Sequence, residues 1–110
     1  MKVKFYLTSG GRSPVEEFIL ALPEDTRLEI ADAVALLENG QKLEMPLSRN
    51  LSNIKAGLHE LRFRDKAGQV RVIYLIKKND AIYLIHALRK KTQALPSKDV
   101  DLILKRAKEI

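Results

Sequence analysis

The segment Leu58-His59-Glu60-Leu61-Arg62-Phe63-Arg64 alternates in character. In an extended chain it puts Glu60, Arg62 and Arg64 on one face and His59, Leu61 and Phe63 on the other, because successive strand side chains point to opposite sides. Arg71 interrupts the apolar run from Val70 to Ile76, close to its start. The turn-forming stretch Asp65 to Gly68 separates the two segments, so Arg64 and Arg71 should face each other or sit diagonally across a hairpin. Guanidinium groups stay charged and donate paired hydrogen bonds from a planar fork. That suits them to a phosphate and to the charge that develops when a phosphoryl group is transferred. Arg62, Arg64 and Arg71 are therefore the first-choice site. The competing reading is an exposed strand edge charged for solubility, with ion pairs to Glu60 or Asp65.

His86 lies in the apolar stretch Ile82 to Leu88, which runs on into Arg89, Lys90 and Lys91. An imidazole beside a cationic cluster is suited to moving a proton to or from a ribose hydroxyl. A lone strand histidine equally fits a satisfied core group, and a lysine run equally fits a solvated surface. His59, by its face, reads as structural or peripheral. Tyr6, Tyr74 and Tyr83 are the main aromatics able to stack on bases, and all three fit core or sheet-face positions. The chain has no cysteine, no glycine-rich phosphate cradle, and no histidine or carboxylate cluster at metal spacing. No cofactor and no metal are expected, and thiolate chemistry is excluded.

These groups need a scaffold, and the rest of the chain supplies one. Lys2 to Thr8 alternates with Val3, Phe5 and Leu7 on one face, which predicts a half-buried edge strand. Ser13-Pro14-Val15-Glu16 has the form of a capping box with proline at the first helical position. The helix it opens carries Val15, Phe18, Ile19 and Leu22 on one stripe and ends at Pro23. A second helix is predicted from Glu24 to Asn39, with acids in its first turn, Gly40 as its stop, and Ile30, Val34 and Leu37 as its inner edge. Gln41 to Ala56 has no period and reads as a loop.

Strands follow at Gly57 to Arg64, Gln69 to Lys78 and Ala81 to Arg89, with a second turn at Asn79 and Asp80. The last two are apolar on both faces, which predicts a central place with cover on each side. Pro96 and Ser97 begin a final helix whose Val100, Ile103, Leu104 and Ala107 keep helical spacing. The expected architecture is α+β, ordered β-α-α-β-β-β-α, with the helical hairpin packed on a mostly antiparallel sheet. At 110 residues, the chain is expected to form one domain over 1–110.

The net charge of +6 is unevenly placed. Residues 1 to 54 hold six basic and eight acidic side chains, and residues 55 to 110 hold fourteen and six. The second half therefore carries the positive field, which favours a polyanion such as nucleic acid or an acidic protein segment. Solubility alone is the plainer reading. No stretch reaches the roughly 20 apolar residues that span a bilayer, and no signal peptide is visible. A cytoplasmic protein without a membrane partner is expected.

Ser13-Pro14-Val15-Glu16-Glu17-Phe18 with Leu22-Pro23, then Leu58-His59-Glu60-Leu61-Arg62, Val70-Arg71-Val72-Ile73-Tyr74, and Leu84 to Gln93 together resemble the HigB-like branch of the RelE/ParE toxin superfamily. The resemblance spans nearly the whole chain. It implies a RelE-like fold and the toxin of a type II toxin-antitoxin system. It also implies a metal-independent endoribonuclease that cuts mRNA on the ribosome through attack of the ribose 2'-hydroxyl. Carried over by position, Arg62, Arg71, His86 and Lys90 would form the catalytic set, with Arg64, Arg89 and Lys91 contacting RNA. An antitoxin partner is implied, expected to be a helix-turn-helix protein. The C-terminal tyrosine of several RelE relatives has no counterpart, since no tyrosine follows Tyr83. The alternative is a ParE-like gyrase inhibitor or a basic protein-binding module.

Overall fold

A computed structural model describes residues 1–77, 81–90 and 93–110. Its elements are β1 (Lys2–Phe5), α1 (Pro14–Leu20), α2 (Glu24–Glu38), β2 (Ser48–Asn50), β3 (Leu58–Asp65), β4 (Gly68–Lys77), β5 (Ala81–Lys90) and α3 (Ser97–Lys108). The Ser13 hydroxyl accepts from the Glu16 N–H and Pro14 opens α1, as the capping pattern predicts. Ile30 and Leu37 are buried on α2 as expected, whereas Val34 is half-buried and Ala33 takes the inner place.

The strands form one sheet in the order β1-β5-β4-β3-β2, with β1 parallel to β5 and every other pairing antiparallel. The first strand is thus at an edge, as its alternation suggests. It ends at Phe5 rather than Thr8, because Thr8 N–H turns to the Arg12 carbonyl (2.8 Å) and closes a loop.

The loop expected over Gln41 to Ala56 is interrupted by β2, a correction to the expected element order. Three residues, Ser48, Arg49 and Asn50, pair with Leu61, Glu60 and His59. Such a stretch is too short to show a period and holds polar residues that disfavour strands. It exists through its ladder to β3. Gly57 leads into β3 with φ +84°, and a Cβ there would lie 2.7 Å from the Ile76 carbonyl oxygen, so this close backbone approach requires glycine.

Two apolar layers flank the sheet. Leu61, Phe63, Val70, Val72, Tyr74 and Leu84 pack toward α1 and α2, meeting Val15, Ile30 and Leu37. Leu58, Ile73, Leu75, Ile85 and Leu88 pack on the other side against Ile103 and Ala107 of α3. This double cover explains why β4 and β5 read as apolar on both faces. A bulge lies where Ile73 pairs with His86 and Tyr74 with Leu84. The extra residue, Ile85, joins His86 on the α3 side. No helix among the described residues is long and apolar enough to cross a membrane. Lys78, the Asn79–Asp80 turn and Lys91 lie outside the described residues.

Candidate functional site

Strand register decides which charged side chains meet. Arg62 pairs directly with Arg71, and Arg64 pairs with Gln69, which makes Arg64 the diagonal neighbour of Arg71. Across β4, Gln69 pairs with Lys90 of β5. Glu60, two residues before Arg62 on β3, shares the same side. Five charged groups from three adjacent strands therefore gather on the α3 side of the sheet.

At their centre is Glu60, only 1% exposed. Its Oε1 lies 3.3 Å from Arg71 Nε and 3.9 Å from Arg62 Nε, and its Oε2 lies 3.5 Å from Lys90 Nζ. A carboxylate this buried requires charge partners, and here it has three. Arg71, 3% exposed, donates to the carbonyls of Phe63 (3.3 Å) and Val70 (3.1 Å) and to the Gln69 side chain. Its guanidinium is locked in one orientation. Burial lowers its pKa, Glu60 raises it, and Arg62 and Arg64 lower it again. Lys90, 6% exposed, donates to the Gln93 carbonyl at 2.6 Å. Burial pulls its pKa below the ordinary lysine range, against the pull of Glu60.

Arg62 and Arg64 face outward from this buried base. Arg62 reaches the Met45 sulfur at 3.3 Å, and Arg64 is exposed. Both line a cleft of about 600 Å³ with Gln69 and Arg71, closed by Leu47 and Phe63 and by Glu29 and Asp32 of α2. On the strand side of the cleft Arg62, Arg64 and Arg71 gather, facing the carboxylates Glu29 and Asp32 across it, so the positive charge is concentrated on one wall. Such a wall can hold an anion and stabilise charge developing on it.

The remaining candidates occupy other surroundings. His86 is on the same side of the sheet but under α3, where its Nε2 is 2.8 Å from Asp99 Oδ1 and its Nδ1 is 3.2 Å from Arg106 Nη1. Arginine only donates, so Nδ1 accepts and Nε2 carries the proton toward Asp99. Burial lowers the His86 pKa, which keeps the ring neutral near pH 7 despite Asp99. Arg89 turns to the opposite side and binds Asp65 through both terminal nitrogens (2.7 and 2.8 Å), bracing the β3–β4 turn. His59 stacks on Tyr74 with ring centroids 5.1 Å apart. Among the described residues no three His, Asp or Glu side chains gather at metal-binding spacing.

The element that sequence reasoning underweighted is Glu60. The sequence places it on a polar face and offers it as an ion-pair partner of the arginines, which the structure shows, but not as the centre of the cluster. Glu60 is the sole acid on the polar face of a strand whose other polar members are arginines.

A family profile described as "Phage derived protein Gp49-like (DUF891)" matches residues 17–108, most of the chain and every group named above. It describes a RelE-like, toxin-antitoxin-associated family, and such a toxin implies an antitoxin partner. Among curated proteins none matches the chain in sequence.

Proposed function

We propose that this chain, which belongs to the Gp49-like family, is a ribosome-dependent endoribonuclease of the HigB-like kind that cleaves mRNA without a metal. The observation that supports this reading is the gathering of Arg62, Arg71 and Lys90 around one buried carboxylate, with Arg64 open to solvent beside them. An excess of fixed positive charge at a cleft wall is what attack on a phosphodiester requires, because the phosphorane gains negative charge as it forms.

In this reading the ribose 2'-hydroxyl loses its proton to solvent water, its oxygen attacks the adjacent phosphorus, and the bond to the 5'-oxygen breaks. The products are a 2',3'-cyclic phosphate and a free 5'-hydroxyl end. Arg62 and Arg64, the reachable guanidinium groups, hold the phosphate oxygens. Arg71, locked by its own partners, supplies a fixed field behind them. Lys90 donates the proton that the leaving 5'-oxygen needs. His86 enters as a proton carrier once Asp99 and Arg106 release it, and with α3 docked it holds β5 in place. Contact of Arg89 and Lys91 with RNA belongs to the same reading, with Arg89 acting from the opposite side of the sheet, where it pairs with Asp65. In the absence of a target, an acidic segment of the antitoxin covers the same charges.

The test is primer extension on mRNA in a translating extract. An Arg62→Ala, Arg71→Ala double variant should lose cleavage by about 100-fold or more, since single electrostatic donors at such sites are each worth a comparable factor. Wild-type cleavage by that variant rejects the assignment. Intact transcripts together with inhibition of gyrase supercoiling would instead identify a gyrase-directed toxin.

A further inference from the structure

We infer that Glu60 is the positioning residue of the basic site, its buried carboxylate gathering Arg62, Arg71 and Lys90 from three strands into one constellation. The inference rests on the nuclease reading only for what these cations act upon.

Glu60 contributes nothing that an apolar side chain of its size would not supply to packing, and burying its charge is costly. Its two oxygens point to different strands: Oε1 toward Arg71 of β4 and Arg62 of β3, and Oε2 toward Lys90 of β5. It therefore sets the spacing between groups that would otherwise repel. Lys90 depends on it most. The other charges that face its ammonium, Arg71 and Arg49 of β2, both oppose its protonation, as does burial, and Glu60 is the counter-charge that favours it. The Glu60 carboxylate beside it therefore favours the protonated ammonium from which Lys90 can donate.

Two roles for Glu60 predict the same effect on binding and different effects on turnover. If the carboxylate merely dilutes the positive field, its removal leaves a stronger RNA-binding surface with intact chemistry. If it positions the cations, its removal tightens RNA binding while turnover falls. Glu60→Gln keeps the shape and removes the charge, so it separates the two.

Wild type, Glu60→Gln and Glu60→Asp should be compared as full chains in three measurements. These are the NMR titration of Lys90 without RNA, binding to a short 2'-O-methylated single-stranded RNA, and ribosome-dependent cleavage as a function of pH. We expect Glu60→Gln to bind the RNA about two- to tenfold more tightly at low salt and to cleave at least about tenfold more slowly. Its high-pH limb of cleavage should move to lower pH together with the Lys90 titration. Glu60→Asp, which keeps the charge, should restore part of both. The inference is overturned if Lys90 titrates alike in wild type and Glu60→Gln, or if cleavage by that variant matches wild type. Should Glu60→Gln not fold, wild-type Lys90 found neutral at pH 7 also overturns it. Wild-type protein that leaves transcripts intact defeats the nuclease reading, and the Lys90 titration, which needs no RNA, still decides the role of Glu60.

Discussion

The α3 side of the sheet carries two regions built from the same three strands. At one end Leu58, Ile73, Leu75 and Ile85 meet Ile103 and Ala107, and α3 lies over them. At the other end the same strands present Glu60, Arg62, Arg71 and Lys90, and from there Arg62 and Arg71 reach the wall of an open cleft that runs round to α2. In the covered end the polar groups balance: His86 has a donor and an acceptor from α3, and Arg106 also donates to the Ile85 carbonyl at 2.9 Å and lies over the Tyr6 ring. In the open end the cations outnumber the acid that holds them. A helix closes a sheet where burial is favourable and its polar groups can be satisfied, and a surplus of like charge keeps the neighbouring surface for an anion.

Changes at the covered end should affect stability and leave RNA binding alone. The largest expected effect is that of Ile103→Ala. The side chain is fully buried, and its truncation should cost about 2–5 kcal/mol in denaturant unfolding. Asp99→Ala comes next. It strips the partner from the buried His86 Nε2–H, for a loss of about 1–3 kcal/mol, with binding of a short RNA unchanged. Weaker binding in that variant would join the two regions and break the comparison.

At the open end the pattern should reverse. Arg64→Ala removes an exposed cation of the cleft wall, so thermal unfolding should stay near wild type. RNA affinity should fall several-fold at low salt, and the slope of log affinity against log salt should shrink by about one.

The smallest effect is that of pH on stability. His86 and His59 both have folded pKa values below the ordinary histidine value, each chiefly through burial. Below about pH 6.5 the unfolded chain therefore takes up protons that the folded chain refuses. Stability should be level near neutrality and decline as pH falls from about 6.5 toward the lowered folded values. A rise in stability over that interval would show that Asp99, not burial, governs His86.

Much of this was legible from residue order. The alternation of Glu60, Arg62 and Arg64 placed them on one face, the Asp65 to Gly68 turn brought Arg71 within reach, and the double apolar character of β4 and β5 foretold cover on both sides. The missed strand β2 had no pattern to read, because three residues acquire strand form from the ladder they join.

Residue types and their period determined the elements, the faces and the sign of the charge, because side-chain direction repeats with the backbone and needs no distant partner. Only the tertiary structure decided which charges meet. Lys90 follows Glu60 by thirty positions, and it took pairing through β4 to set its ammonium 3.5 Å from that carboxylate. The bulge at Ile85 and the docking of α3 likewise turned His86 toward Asp99. Local sequence cannot encode such meetings, because they arise from strand register and helix packing, which are settled only when the whole sheet assembles.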